Sequence, residues 1–464
     1  MVHTFLKMAK SGQELLIIGS VWPEPQSSAA GQRMMQLIRL LQAEGWNITF
    51  GCSAAKTDHM VELADYGIKT SPIQINSSTF DAFISELEPS VVMFDRFITE
   101  EQFGWRVAEQ CPQALRILDT EDLHCLRRTR RKAVEQGIDL ETNHLLTDDT
   151  AKREVASILR SDVSLIISEY EMELLQNVFK VDSSLLLYLP FLIDAMDEND
   201  MRQWPDYEER SGFITIGNFR HAPNMDGVRY LKEQIWPLIR EELPREEVHI
   251  YGAYPSQEAQ KLYQPQDGFY IKGRARDAEK VMKQARVCLA PLRFGAGLKG
   301  KLTKAMQCGT PSVTTPIGAE GIAGGLDWPG VVAESPKKLA AAAVELHENA
   351  RKWGKAQGRG MPIINERFNL SEHQPRFVHK IEKLKENLET HRLQNFTGAM
   401  LRHHQAASTK YMNRWIEEKK QKLSFRALRI HKNGIHSAWY FFGGSRGNST
   451  LEGSCFAVSK IVAG

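Results

Sequence analysis

Residues 290–322 read APLRFGAGLKGKLTKAMQCGTPSVTTPIGAEGI. An apolar run, 287–292, ends in a turn with glycines at 295, 297 and 300; a lysine-bearing helix is expected over 299–307, then a Gly-Thr-Pro break and the β-rich 312–315. Strand, loop, helix and strand follow one another around a loop built to approach a ligand. Gly295, Gly297 and Gly300 remove Cβ atoms where the backbone meets the helix start, so free N–H groups and the positive helix end can face an anion. Lys299 and Lys301 add side-chain charge in the same place. Together these features point to a phosphate or diphosphate site. A flexible surface loop with solvated lysines is the other reading of such a loop taken alone.

The ordered phrase as a whole resembles the donor-binding signature of the GT-B nucleotide-sugar glycosyltransferases, in the large retaining family called glycosyl transferases group 1. Phe294, Gly295, Gly297, Ala305, Met306, Gly309, Pro311 and Val313 carry the resemblance, and a subgroup with Gly-Ala-Gly-Leu-Lys-Gly-Lys and Ile-Gly-Ala-Glu-Gly is similar through 318–321 as well. Two positions depart from it. Lys304 stands where the family's helix glutamate usually holds the ribose hydroxyls, and Ala296 where the partner acid falls eight positions earlier. Neither accepts a hydroxyl hydrogen bond as a carboxylate does. The ribose contact therefore comes from elsewhere, with Glu320 the candidate, or it is weaker or lost.

The chain has 464 residues, enough for two or three domains, and its 42% hydrophobic content supports ordinary cores. Lys plus Arg is 59 against 57 for Asp plus Glu, a net charge of +2 that gives no general drive toward nucleic acid. Any phosphate recognition must be local. Six cysteines show neither a Cys-x-x-Cys pair nor zinc spacing. No apolar run approaches the roughly 18 residues of a membrane span, and the expected location is the cytoplasm, with the inner face of a membrane as an alternative.

In the first half, the apolar run 15–19 reads as a buried parallel strand and 28–44 as the helix after it. Ser27 and Ser28 are candidate caps, and Gly31 would let a ligand approach the first turn; a plain strand-to-helix connection is the alternative. Further strands are expected at 48–51, 91–95, 115–119, 165–168 and 185–189. Strands alternating with helices argue a doubly wound parallel sheet, whose ligands bind outside the carboxyl ends of the strands. Two ends are polar: Asp95-Arg96, and the phrase 119–127 with Asp122, His124 and Arg127, followed by Arg128, Arg130, Arg131 and Lys132. The subgroup has a phrase similar to 119–127, and the resemblance implies a donor-sugar or acceptor wall there. The basic run 128–132 reads as a solvated helix face; a phosphorylated or lipid-diphosphate acceptor is the sharper alternative.

Residues 196–211, polar and without apolar periodicity, read as a linker between an acceptor domain (13–195) and a donor domain (212–370). Beyond it strands recur at 213–217, 248–252, 269–273, 287–292, 312–315 and 331–333. Asn224 is expected as an N-cap, with Arg220 and His221 in the loop before it placed to meet a diphosphate. Residues 371–423 read as C-terminal helices, of which 371–392 returns to the first domain through Phe377, Ile381 and Leu384. The polar amphipathic helix 395–420 packs on the cleft edge, pairs with a partner or gives peripheral membrane association. The segment 424–464 shows no helix period and is expected to be poorly ordered.

The expected fold is α/β, GT-B, with two Rossmann-like domains facing a cleft. The expected function is transfer of a sugar from a nucleotide-diphosphate sugar to a glycan, lipid-linked or other acceptor, with neither cofactor nor metal required. Catalytic candidates are His124 and Asp122; donor-binding candidates are Arg220, Gly295, Gly297, Lys299, Lys301 and Glu320; Ser28, Gly31 and Arg127 line the acceptor side or cleft. A degenerate protein that binds nucleotide or glycan without turnover, and a nucleotide-sugar epimerase, are the alternatives.

Overall fold

The computed structural model describes residues 13–434; the remainder of the tail, 435–464, lies outside the described residues. Both sheets belong to one compact unit that runs to Tyr411, and the segment from Met412 on forms a second unit. The first sheet contains β1 (Gln13–Gly19), β2 (Trp46–Cys52), β3 (Lys69–Pro72), β4 (Val91–Asp95), β5 (Leu115–Asp119), β6 (Val163–Ile166) and β7 (Leu186–Tyr188). The second contains β8 (Ser211–Ile216), β9 (Val248–Tyr251), β10 (Phe269–Gly273), β11 (Ala285–Ala290), β12 (Ser312–Thr314) and β13 (Gly330–Val332). Their orders are β3-β2-β1-β4-β5-β6-β7 and β10-β9-β8-β11-β12-β13, parallel throughout. Each sheet thus reverses its order between its first and fourth strands, the place where open α/β sheets bind ligands.

The apolar runs form central strands because both faces of each sheet are covered. Leu15 and Ile17 point into a core with Met34, Leu37 and Ile38 of the helix Ala29–Ala43, while Leu16 and Ile18 point into another with Phe94, Phe103 and Leu118. Only a continuous apolar run satisfies both faces. The edge strand β3, sequence KTSP, is mostly exposed and carried no apolar signal; edge strands tolerate charge and proline because one side is unpaired.

Two crossings join the sheets, and they pair with each other. Ile193 N–H donates to Phe368 O at 2.8 Å and Leu370 N–H to Ile193 O at 2.8 Å. The helix Leu370–Glu386 then places Phe377, Ile381 and Leu384 in the first sheet's core. The polar stretch around 196–211 is docked: Trp204 Nε1 donates to Gln307 O at 2.9 Å, and buried Arg210 donates to Cys308 O at 2.9 Å and Thr310 Oγ1 at 2.8 Å. Gly309, at φ +59°, would put a Cβ 2.4 Å from the Trp204 ring. The last helix, Phe396–Gly434, continues past 424, where no helix period was read.

The first domain's polar centre is Arg33 on the helix Ala29–Ala43, which is 1% exposed. Its guanidinium donates to Asp119 Oδ1 at 2.7 Å and to Leu189 O at 2.8 Å. Burial alone would lower the Arg33 pKa, but Asp119 outweighs it and raises it. Removing one partner of a buried pair strands the other, at a cost of about 3–5 kcal/mol. Arg33→Ala is therefore expected to lose stability on that order in a urea titration, and a change of less than about 1 kcal/mol would count against the pair as the domain's anchor.

Candidate active site

The carboxyl ends of both sheets meet in one charged cleft. At the end of β4, Asp95 Oδ2 accepts from Ser20 N at 2.9 Å and from Arg96 Nη1 at 3.1 Å. Arg96 has φ +70° and, just past β5, Glu121 has φ +62°. Two non-glycine residues held in the left-handed region at adjacent strand ends each cost about 1–3 kcal/mol, and such strain gathers at functional sites. Burial, reinforced by the neighbouring Asp119 carboxylate, pushes the Glu121 pKa up to about 8.

Glu121 leads into the helix His124–Gln136. Its first N–H groups are occupied: His124 N and Cys125 N donate to Glu154 Oε1 and Oε2, each at 2.9 Å. Asp122 is ion-paired with Arg127, and His124 Nε2 lies 3.6 Å from Asp122 Oδ1. Burial opposes ionisation of Asp122, yet Arg127, with His124 and His221, holds its pKa well below the usual carboxylate range. Burial, with Arg127 and Arg96 overriding the pull of Asp122, lowers the His124 pKa to about 3. His124 is thus a neutral imidazole at physiological pH, packed edge-on against Phe97 with ring centroids 5.4 Å apart.

The second domain supplies the facing wall. His221, the N-cap residue of the helix Ala222–Tyr230, has Arg127, Asp122, Lys301 and Arg96 as electrostatic neighbours. Asn224 is therefore not the cap. It sits in the helix's first turn, and its Oδ1 accepts from Lys301 Nζ at 2.8 Å. Desolvation lowers the Lys301 pKa to about 8. Arg220 is exposed, with its guanidinium 3.7 Å from the centre of the Tyr254 ring. His221 thus shares its electrostatic neighbourhood with Lys301, Asp122, Arg127 and Arg96, next to His124, while the preceding residue, Arg220, lies over Tyr254.

Other expected site residues have different employment. Gly297 N–H is not free: it donates to Glu171 Oε1 at 2.8 Å. Gly295 O accepts from Arg130 Nη1 at 2.9 Å. Lys299 is 7% exposed, and its ammonium is spent on Gly297 O at 2.8 Å. Both carboxylate oxygens of Glu320 are taken by Arg130, at 2.8 and 2.7 Å. Arg130 is consequently buried rather than on the solvated face read for 128–132, whereas Arg131 and Lys132 are exposed and paired with Glu135 and Asp148. Ser28 is the helix cap, accepting from Gly31 N at 3.0 Å. Gly31 makes room for protein, since a Cβ there would lie 2.4 Å from the Glu24 backbone. Ala296, at the position of the first missing family acid, packs against the first domain's core.

Residues 210–349 match the family described as Glycosyl transferases group 1. The chain carries a glycosyl transferases group 1 domain. Among solved structures, the chain is similar to a sucrose-phosphate synthase from Thermosynechococcus elongatus, with TM-score 0.60 and 15% identity over 80% of this chain and 99% of that one. It is also similar to Anabaena HepE in complex with UDP and glucose, with TM-score 0.59 and 12% identity over 80% and 99%. The pneumococcal O-GlcNAc transferase GtfA in complex with UDP and GlcNAc gives TM-score 0.59 and 12% identity over 80% and 99%. At such identities the likeness speaks for the fold, which is GT-B. No curated protein matches the sequence.

The glycosyltransferase domain shares its cleft with residues that sequence reading left out of the site. Asp95 and Arg96 had a signal, a polar pair at a strand's carboxyl end. Glu171 had none: it is buried in a short helix after β6 and reaches Leu123 N at 2.9 Å as well as Gly297 N. Among the described residues no group of three or more His, Cys, Asp or Glu is placed to hold a metal ion.

The seat of the glycine loop is testable. A Cβ on Gly297 (φ +60°) would lie 2.8 Å from Asp122 Cβ, whereas Gly273 (φ +70°) has nothing within 4 Å. Gly273→Ala is expected to cost only the left-handed backbone penalty, about 1–2 kcal/mol. Gly297→Ala should lower the melting temperature further, because loop and strand end must also move apart; equal shifts in the two variants would show that the contact is not tight.

Proposed function

We propose that the chain transfers a sugar from a nucleotide-diphosphate donor to an acceptor oxygen in the cleft. The observation that carries the reading is the clustering of Lys301 and His221 from the second domain with Asp122, His124, Arg127 and Arg96 from the first, with Arg220 one residue before His221. In the transfer, the bond between the anomeric carbon and the diphosphate oxygen breaks, a bond to the acceptor oxygen forms, and the acceptor's proton passes to the departing diphosphate. Charge grows on the departing diphosphate, so cations already in place stabilise the transition state more than the ground state. Lys301 and Arg220 are assigned to the diphosphate. His124, neutral and fixed by Phe97 and Asp122, is assigned to the sugar as a hydrogen-bonding partner. Asp122 is assigned to the electrostatics of the cleft wall, because Arg127 already occupies its carboxylate. Retention of anomeric configuration and a glycan or lipid-linked acceptor belong to the proposal.

Donor binding without turnover is the second reading. It is favoured by Ala296, which faces protein, and by Lys304, both standing where a carboxylate would hold ribose.

The solved relatives with UDP bound make UDP the first nucleotide to test. A ligand that binds the native state raises the melting temperature. UDP, or one other nucleoside diphosphate from a panel, is expected to do so, and Lys301→Ala should weaken it about 10- to 100-fold, the worth of one hydrogen bond to a charged group. No shift with any diphosphate would sink the transferase reading; binding without transfer to any acceptor would favour the binder.

The pH dependence follows from Lys301. Its ammonium is present below its pKa of about 8 and lost above it. Diphosphate affinity should therefore fall as pH rises through about 8 in the parent protein, and Lys301→Ala should flatten that fall. An equally steep profile in the variant would assign the titration to another group.

A further inference from the structure

A cavity separate from the cleft lies at the opposite end of the first sheet. Its volume is about 340 Å³, within the range of small-molecule sites. It is lined by Trp105, Ala108 and Pro112 on one side and by Arg116, Arg392 and Arg402 on the other. Arg116 sits near the start of β5, whose other end leads to Glu121 and Asp122. Trp105 belongs to the helix Arg96–Gln110, which starts at the cleft and extends about 22 Å.

The electrostatics of this cavity are unfinished. Arg392 is fully engaged, donating to Asp162 Oδ1 at 2.8 Å and to Ala114 O at 2.7 Å. Arg116 approaches the same Asp162 only to 3.6 Å, and its Nε has no acceptor. Arg402 donates to a backbone carbonyl, Arg160 O, at 3.0 Å. The two other acids in the wall are committed elsewhere, Glu100 to Arg160 and Glu109 to Lys410. Three guanidiniums thus face the single carboxylate of Asp162. Trp105 adds another donor, an Nε1–H that is likewise without an acceptor. Trp105 is 5% exposed and Arg116 6%, so water does not readily replace what is missing. Burial, with crowding by neighbouring arginines, lowers the pKa of both Arg116 and Arg402. Unpaired buried donors and charge of this kind are costly unless a ligand satisfies them.

We propose that this cavity binds a small phosphomonoester, its oxyanion held by Arg116 and Arg402 and its organic part lying against Trp105. A phosphate fits better than a carboxylate on two grounds. Its dianion matches the two guanidinium charges left after Asp162 takes one, and its three oxygens match the forked donors of two arginines. The apolar wall of Trp105, Ala108 and Pro112 favours an organic ester over the inorganic ion. The site is separate from the donor cleft and independent of the transfer chemistry.

The test is isothermal titration of the full chain with phenyl phosphate, inorganic phosphate and phenol, each repeated with UDP present. Phenyl phosphate is expected to bind one to one, more tightly than either fragment, and without competition from UDP. Arg402→Gln should weaken it about tenfold or more, as loss of a charged hydrogen bond requires, while the response to UDP stays unchanged. No saturable binding at about 1 mM would overturn the proposal. So would displacement by UDP or parent-like affinity in Arg402→Gln. Should that variant fail to fold, Arg402→Lys keeps the charge but loses the fork; it should bind phenyl phosphate several-fold more weakly, and unchanged affinity would equally overturn the proposal.

Discussion

The close approach of the glycine loop to the first domain is the constraint on which the cleft depends. A Cβ on Gly297 would lie 2.8 Å from Asp122 Cβ, one on Gly300 2.9 Å from Ala29 Cβ, and one on Gly321 2.9 Å from Ser168 Oγ. Three backbone positions of the second domain therefore touch the first at distances that side chains forbid. Around them Leu298, Leu302 and Met306 share a core with Ile167, Phe191 and Ile193. Glu171 and Arg130 fasten the same loop by hydrogen bonds from the other side. The glycines serve protein contact, and the ligand-facing charge is carried by side chains on either side of it.

That arrangement separates two kinds of cation. Lys299 and Arg130 are buried and matched within the seam, so they hold the loop. Lys301 is half-buried with an amide partner, and Arg220 is exposed over an aromatic ring, so neither is neutralised by a carboxylate at hydrogen-bonding distance. Cations without a carboxylate partner are the ones that keep their attraction for an incoming diphosphate. On the opposite wall Asp122 keeps its charge because Arg127 is beside it, and the same arginine helps to keep His124 neutral. Burial would neutralise both groups, and the fixed charges decide between them.

Much of the fold was legible because its signals are local. The runs 91–95 and 115–119 match strands residue for residue, since central strands covered on both faces read as nearly continuous apolar runs; 269–273, the edge strand β10, matches as well because it opens on Phe-Tyr-Ile before the exposed Lys272. The glycine and proline breaks marked the ends of the helix Gly300–Gln307. The edge strand β3 escaped because an edge needs no such run. The docked stretch before β8 escaped because Trp204 and Arg210 are anchored by partners about a hundred residues away, Gln307 and Cys308.

In the site, sequence determined which residue types the chain offers: cations after a strand, a histidine and carboxylates after another, and glycines between. It also determined that carboxylates are missing at 296 and 304. Tertiary structure alone decided which cation faces the cleft and which is buried. Lys299 and Lys301 are two residues apart and look alike in sequence, yet a helix start turns one into the seam and the other toward Asn224. Glu320 has the right chemistry for a hydroxyl, but Arg130 reaches it from 190 residues away. The reason is physical: residue type sets the charge a group can carry, whereas its availability depends on neighbours brought together only by the packing of one domain on the other.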